Sequence, residues 1–209
     1  MVDRLLVSSN IPSQFRRTYY EDYDTERGHI DILKDLKEWE PTAARPLALF
    51  YGRPGKAKTM MACAALNEFQ DRWHVPSNVP DSCLTVLRQE RWPIYFIQMA
   101  ELVALHLRSM RLEGLVTKGL KDPAEYLEID QLLQDLEGRV EALVIDDVGK
   151  EHRTSTGYAE DVFDLLVRTR HNKGLLTVLT SNLPITRWSG EYSDSMESLV
   201  RRSALVLEF

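Results

Sequence analysis

Very little in this chain of 209 residues points to a membrane or to an oxidising compartment. Its two cysteines, Cys63 and Cys83, show no metal or redox spacing. A disulfide framework is excluded, and a reducing cytoplasm is the expected setting. No apolar run approaches the roughly 20 residues that cross a bilayer, so no membrane partner is expected. The opening MVDRLLVSSN turns polar too soon for a secretion signal. Positive charge is also short: 26 Lys and Arg face 32 Asp and Glu, for a formal net charge of −6. That balance excludes a protein that coats duplex DNA by bulk charge and leaves room for a local basic patch. Repeats and low-complexity tracts are missing as well. What remains, 44% hydrophobic and 28% charged, is ordinary globular composition at a length suited to one α/β domain, residues 1–209. The one compositional break is 74–93, with three prolines and little helical periodicity, which reads as a long surface connection.

A further shortage concerns one glycine. The stretch GRPGKAKT, Gly52 to Thr59, matches the phosphate-loop pattern G-x-x-x-x-G-K-[ST] except that Ala57 stands where the second Gly belongs. The surroundings are those such a loop requires. PLALFY (Pro46–Tyr51) is an apolar run of strand length, and KTMMACAALNEFQDRW (Lys58–Trp73) is rich in helix formers, with Met61, Ala65 and Phe69 at helical spacing. Strand, tight turn and helix start aim backbone N–H groups and the positive helix end at an anion. The expected nucleotide contacts run from Gly52 through Pro54, Gly55, Lys56, Ala57, Lys58 and Thr59 to Met60, with Lys58 as the charge on the β- and γ-phosphates. Alanine at position 57 removes no hydrogen-bond donor. It would strain the backbone by roughly 1 kcal/mol if its φ were positive.

ATP turnover also needs a magnesium-holding carboxylate at the end of a neighbouring buried strand. EALVIDDVGKE (Glu141–Glu151) supplies one: Ala142 to Ile145 are apolar, and Asp146 and Asp147 end the run. In a parallel sheet the ligand crevice lies at that edge. Asp146, through water, and Thr59 are the expected magnesium ligands, and Asp147 is expected to polarise the attacking water. LLTVLTSN (Leu175–Asn182) ends in Thr180, Ser181 and Asn182, and the Asn182 amide suits the γ-phosphate or the water. The strands PLALFY, PIYFIQ (Pro93–Gln98), the Asp-Asp strand, LLTVLTSN and ALVLEF (Ala204–Phe209) are separated by helical segments Ala100–Leu112, Ile129–Leu136, Ala159–His171 and Ser195–Arg202. Alternation of this kind predicts a parallel sheet covered on both faces.

With these motifs the chain resembles the AAA+ ATPases of the DnaC/IstB type, the helicase loaders and transposition helpers. The resemblance spans IPSQFRRTYYEDYD (Ile11–Asp24), LFYGRPGKAKTMMACAA, IYFIQMAELVALHLR, LVIDDVGKE, FDLLVRTR and TVLTSNLP. IDDVGKE followed by TSNLP is its most specific part. The resemblance implies an AAA+ P-loop NTPase with a five-stranded parallel sheet in the order 5-1-4-3-2, sandwiched by helices; in this chain no substantial N-terminal extension is expected. It implies that 11–24 is an entry segment whose apolar part, with Ile11 and Pro12, lies near the adenine. MCM helicases and MoxR-like ATPases are similar in carrying Ala before the P-loop Lys, so Ala57 is compatible with nucleotide binding. It further implies ATP and Mg²⁺ as cofactors and a homo-oligomer, ring or spiral, with nucleotide between protomers.

Two departures stand out. Only about ten residues precede the entry motif, where loaders of this group carry a segment that grips the helicase. The group's trans-acting arginine aligns with Ser198, so it has either moved to Arg201 or Arg202 or been lost, and Arg170 is a second interface candidate. For DNA, the extra helical region Ala100–Lys121 carries Leu102, Leu105 and Leu112 as an apolar stripe beside Arg108, Arg111, Lys118 and Lys121. Such cations suit single-stranded DNA, with modest, salt-dependent affinity because aromatic stacking platforms are missing. The expected function is ATP-driven loading of a replicative helicase onto single-stranded DNA in a bacterial, or phage-encoded, setting. The alternatives are an IstB-like helper that recruits a transposase to target DNA and a nucleotide-bound adaptor with little hydrolysis.

Overall fold

A computed structural model describes residues 9–23, 30–72, 92–149 and 157–209. The expected connection 74–93 lies outside these residues except for its last two, as does the final residue of the entry segment 11–24. Along the chain come α1 (Ile30–Glu38), β1 (Leu47–Tyr51), α2 (Lys58–Arg72), β2 (Trp92–Gln98), α3 (Met99–Thr117) and α4 (Ala124–Gly138). They are followed by β3 (Val140–Val148), α5 (Tyr158–Asn172), β4 (Leu176–Ser181), the short α6 (Trp188–Glu191), α7 (Asp194–Ser203) and β5 (Ala204–Glu208). The strands form one five-stranded sheet, β2-β3-β4-β1-β5, parallel at every pairing. From the other edge this is the expected order 5-1-4-3-2.

Strand alternation divides the core into two layers. Leu47 and Leu49 of β1 face α3, α4, α5 and α7, through residues such as Leu102, Leu133, Phe163 and Val200. Ala48 and Phe50 face α1, α2 and the entry segment, through Ile32, Met61, Ile11 and Tyr20. Helix α2 is buried from Met61 to Asn67, and its Ala62, Cys63, Ala64 and Ala65 let it lie close on the sheet centre. Burial, with the Asp146 charge beside it, pushes the Cys63 thiol up, so this cysteine is a packing group.

The predicted strands agree with the structure to within a few residues, and α4 is longer than expected. It starts at Ala124, where Asp122 Oδ1 accepts the Ala124 N–H at 2.8 Å. Its first turns are solvated apart from half-buried Glu125 and Tyr126, which is why hydrophobic periodicity began only at Ile129. Helix α1 was not separated from its surroundings in the sequence, although Ile32 and Leu36, now buried, stand at helical spacing. The entry segment is stapled to α2 by Asn67, whose Nδ2 donates to the carbonyls of Phe15 and Thr18 at 3.1 and 2.8 Å.

Candidate nucleotide site

The phosphate loop leaves β1 between the central strand β4 and the edge strand β5. Gly52 is demanded there by a neighbour in space. Its N–H donates to Ser181 O at 3.2 Å, and Phe209 N donates to Tyr51 O at 2.8 Å. Any Cβ at Gly52 would collide with the Phe209 carbonyl, and φ is +142°. Gly55, at φ +80°, has open space around it, so the loop keeps its cradle clear. Ala57 adopts φ +61°, the left-handed conformation, and its carbonyl accepts from Met61 N at 2.9 Å to start α2. Lys58 is buried, and its Nζ donates to Gly52 O and Arg53 O, each at 2.9 Å.

The second half of the site meets the first through one oxygen. Asp146 is 2% exposed, and its Oδ1 accepts from Thr59 Oγ1 at 2.8 Å and from Thr180 Oγ1 at 2.6 Å. Thr180 Oγ1 in turn accepts the Asp147 N–H at 2.9 Å. Asp147 is half-buried at φ +60°. A hydroxyl and a carboxylate converging beside a phosphate loop are hard oxygen donors of the kind Mg²⁺ takes. Thr59 and Asp146 therefore fit that ion. Asn182, at the tip of β4, lines a cavity of about 380 Å³ together with Gly52, Arg53, Lys56 and Glu208. Arg53 and Glu208 were missed in the sequence, because only the fold sets the β5 end against the loop. Tyr51 Oη donates to Glu208 Oε2 at 2.9 Å, and burial, then this carboxylate, raises the Tyr51 pKa.

Pro54, Lys56 and Gly55 are exposed on the loop, and Met60 is half-buried at the start of α2. Ile11 is 1% exposed in the layer with Tyr20 and Phe50, while Pro12 is half-buried next to it. The Ile11 side chain is thus a core group. What the entry segment turns outward begins at Pro12.

No family model matches the sequence, and none of the curated proteins matches it either. Solved structures do match. A crystal structure of the DnaC helicase loader superposes with a TM-score of 0.61 at 18% identity, covering 95% of this chain and 99% of that one. A crystal structure of DnaI gives 0.60 at 20% identity, covering 95% and 94%. The replication initiator DnaA bound to AMPPCP and single-stranded DNA gives 0.62 at 15% identity, covering 96% of this chain and 51% of that one. The chain has a DnaC-type AAA+ fold. Likeness at this level of identity carries the architecture, and the chemistry rests on the residues above.

On this DnaC-type framework the arginines separate. Arg170 was expected as an interface group, and the structure corrects that. It is fully buried, donating to Thr177 Oγ1 at 2.9 Å and to the carbonyls of Leu136, Val140 and Leu176 at 2.6, 2.9 and 2.8 Å. Burial pulls its pKa down to about 9, opposed by Glu141, which leaves it charged at neutral pH. A fully buried guanidinium with four of its five N–H donors spent on the chain ends of α4, β3 and β4 cannot reach another protomer. Arg201 and Arg202 are both exposed on α7, with Ser198 one turn before them, and Arg201 Nε donates to Glu197 Oε1 at 2.7 Å. Of the expected DNA-contacting cations, Arg108 and Lys121 both bind the Glu125 carboxylate, while Arg111 and Lys118 are exposed. Leu102 and Leu112 are buried and Leu105 is half-buried, as the apolar stripe predicted. Among the described residues no helix is long and apolar enough to cross a membrane.

Proposed function

We propose that the chain binds and hydrolyses ATP and uses it to load a replicative helicase onto single-stranded DNA. The observation that carries the proposal is the 2.8 Å contact between Thr59 Oγ1 and Asp146 Oδ1, which joins the phosphate loop to the end of β3. The match to a helicase loader along 99% of its chain and to an initiator bound to single-stranded DNA supports the biological half. Homo-oligomers in a ring or spiral would place nucleotide between protomers.

Thr59 and Asp146 would hold Mg²⁺, which neutralises phosphate charge when bound. The loop N–H groups and the start of α2 face the phosphates, and Lys58 exchanges its two carbonyl partners for phosphate oxygens, which are stronger acceptors. Asn182 orients the water or the γ-phosphate. Asp147 accepts the proton as the water oxygen bonds to the γ-phosphorus. The bond to the bridging oxygen breaks, and ADP leaves with that electron pair. Positioning and electrostatics supply most of the rate in such phosphoryl transfers. A neighbour's Arg201 or Arg202 would stabilise the charge that develops.

The test has a chemical arm and a partner arm. In calorimetry with Mg·ATP, Lys58→Ala should abolish binding, while Asp147→Asn should bind normally and lose turnover. Equal loss of binding in both would refute the division of roles. Pull-down against the host replicative helicase should capture it. Capture of a transposase in place of the helicase would move the protein to the transposition-helper class.

A further inference from the structure

The ladder between β3 and β4 slips where the two aspartates stand. Ile145 pairs with Leu179 and Val148 with Ser181, so Asp146 and Asp147 together face one residue, Thr180. Two residues opposite one make a β-bulge, which breaks the up-down alternation of side chains and redirects one of them. Asp147 takes the strain, at φ +60°. Asp visits this conformation more readily than most residues with a Cβ, yet the β region of a regular strand is still favoured, so something must hold it.

The Thr180 side chain does. Its hydroxyl accepts the Asp147 N–H at 2.9 Å and donates its own proton to Asp146 Oδ1 at 2.6 Å. Thr180 is 0% exposed, so no water competes for either bond. A hydroxyl is the smallest side-chain group that donates and accepts at once, and both capacities are used here. Thr59 Oγ1 donates to the same Asp146 oxygen. If Thr59 turns towards a cation, the Thr180 hydroxyl still donates to Asp146 Oδ1 and helps keep it in place.

We propose that Thr180 is a positioning residue of the nucleotide site, fixing the bulge that sets the direction of Asp147 and steadying Asp146. The proposal rests on the ATP-hydrolysis reading for its kinetic consequence and on the bulge alone for its structural one. Val keeps the shape of Thr without the hydroxyl, and Ser keeps the hydroxyl without the methyl. Thr180→Val should speed hydrogen exchange of the Asp147 amide in nucleotide-free protein by roughly tenfold, the loss of one local constraint. In the same variant kcat should fall about 10–100-fold, as for other groups that orient reacting side chains, with the Kd for ATP changed less than threefold. Thr180→Ser should restore Asp147 protection and most of kcat. Wild-type protection in Thr180→Val, or Thr180→Ser as impaired as Thr180→Val, would overturn the proposal, since packing and not the hydroxyl would then matter. If the wild type turned over no ATP, the hydrolysis reading would fail, and the exchange measurements would still decide the role of Thr180.

Discussion

Replacing Ala57 by glycine should change the stability of the folded chain slightly and its nucleotide affinity hardly at all. Ala57 stands at φ +61° because its carbonyl starts α2 through Met61 N and its side chain packs against the core layer under the loop. The left-handed conformation therefore belongs to the fold itself, and these two anchors are expected to hold it when nucleotide binds. Relief of strain contributes about 1–2 kcal/mol in favour of Gly. Against it stand about 0.5–1 kcal/mol for the freer unfolded chain and roughly 0.4 kcal/mol for half of a buried methyl group. The net gain is at most about 1 kcal/mol, which for a chain of this size raises Tm by no more than about 4 °C. Because the strain is common to free and bound protein, Kd for ATP should stay within about twofold. Strain confined to the bound loop would instead make Gly tighten binding about fivefold, the equivalent of 1 kcal/mol. Chemical denaturation and calorimetry on wild type, Ala57→Gly and Ala57→Val measure both quantities. Val, whose branched Cβ tolerates positive φ worst, should lose stability. A fivefold or larger gain in affinity for Ala57→Gly would refute the reasoning.

Arg170→Ala should leave three carbonyls and the Thr177 hydroxyl without their donor, at about 1–3 kcal/mol for each group left unpaired. A loss of at least about 3 kcal/mol, or a Tm drop of roughly 6–12 °C, is expected by calorimetry. Unchanged Tm with lost turnover would return Arg170 to the interface. Glu125→Gln should release Arg108 and Lys121, strengthen single-stranded DNA binding at low salt and steepen the log–log salt slope by about 1.4, two further phosphate contacts. Fluorescence anisotropy across a salt series with no difference from wild type would remove this face from DNA contact. Arg202→Ala or Arg201→Ala, if that residue acts on a neighbour's γ-phosphate, should cut turnover by roughly 10³-fold with ATP affinity unchanged. Mixing the inactive variant with Asp147→Asn protein should restore some activity. Full activity of both variants alone would exclude an α7 finger.

The order of elements, the phosphate loop and the paired aspartates were legible along the chain, because each is written in local terms. An apolar strand, a glycine turn and an Ala- and Met-rich helix announce themselves within a window of about 15 residues. The parallel sheet follows from their alternation, and the strand order came with the resemblance. Tertiary structure decided the rest. Arg170 reads as a surface arginine on an amphipathic helix until the ends of α4, β3 and β4 converge on it, which no spacing along one helix reveals. Gly52 reads as a turn residue until the Phe209 carbonyl closes over it from β5. The left-handed backbone at Ala57 and Asp147 is likewise invisible in their side chains: Ala ordinarily avoids it, and Asp tolerates it without requiring it. Strain at those positions is set by what surrounds them: the start of α2 for one, the slipped β3–β4 ladder and the Thr180 hydroxyl for the other. Local periodicity reports which face of an element is buried. It does not report which distant backbone atoms will need a hydrogen-bond partner once the elements meet, and at this site those atoms determine which side chains can do chemistry and which only hold the fold together.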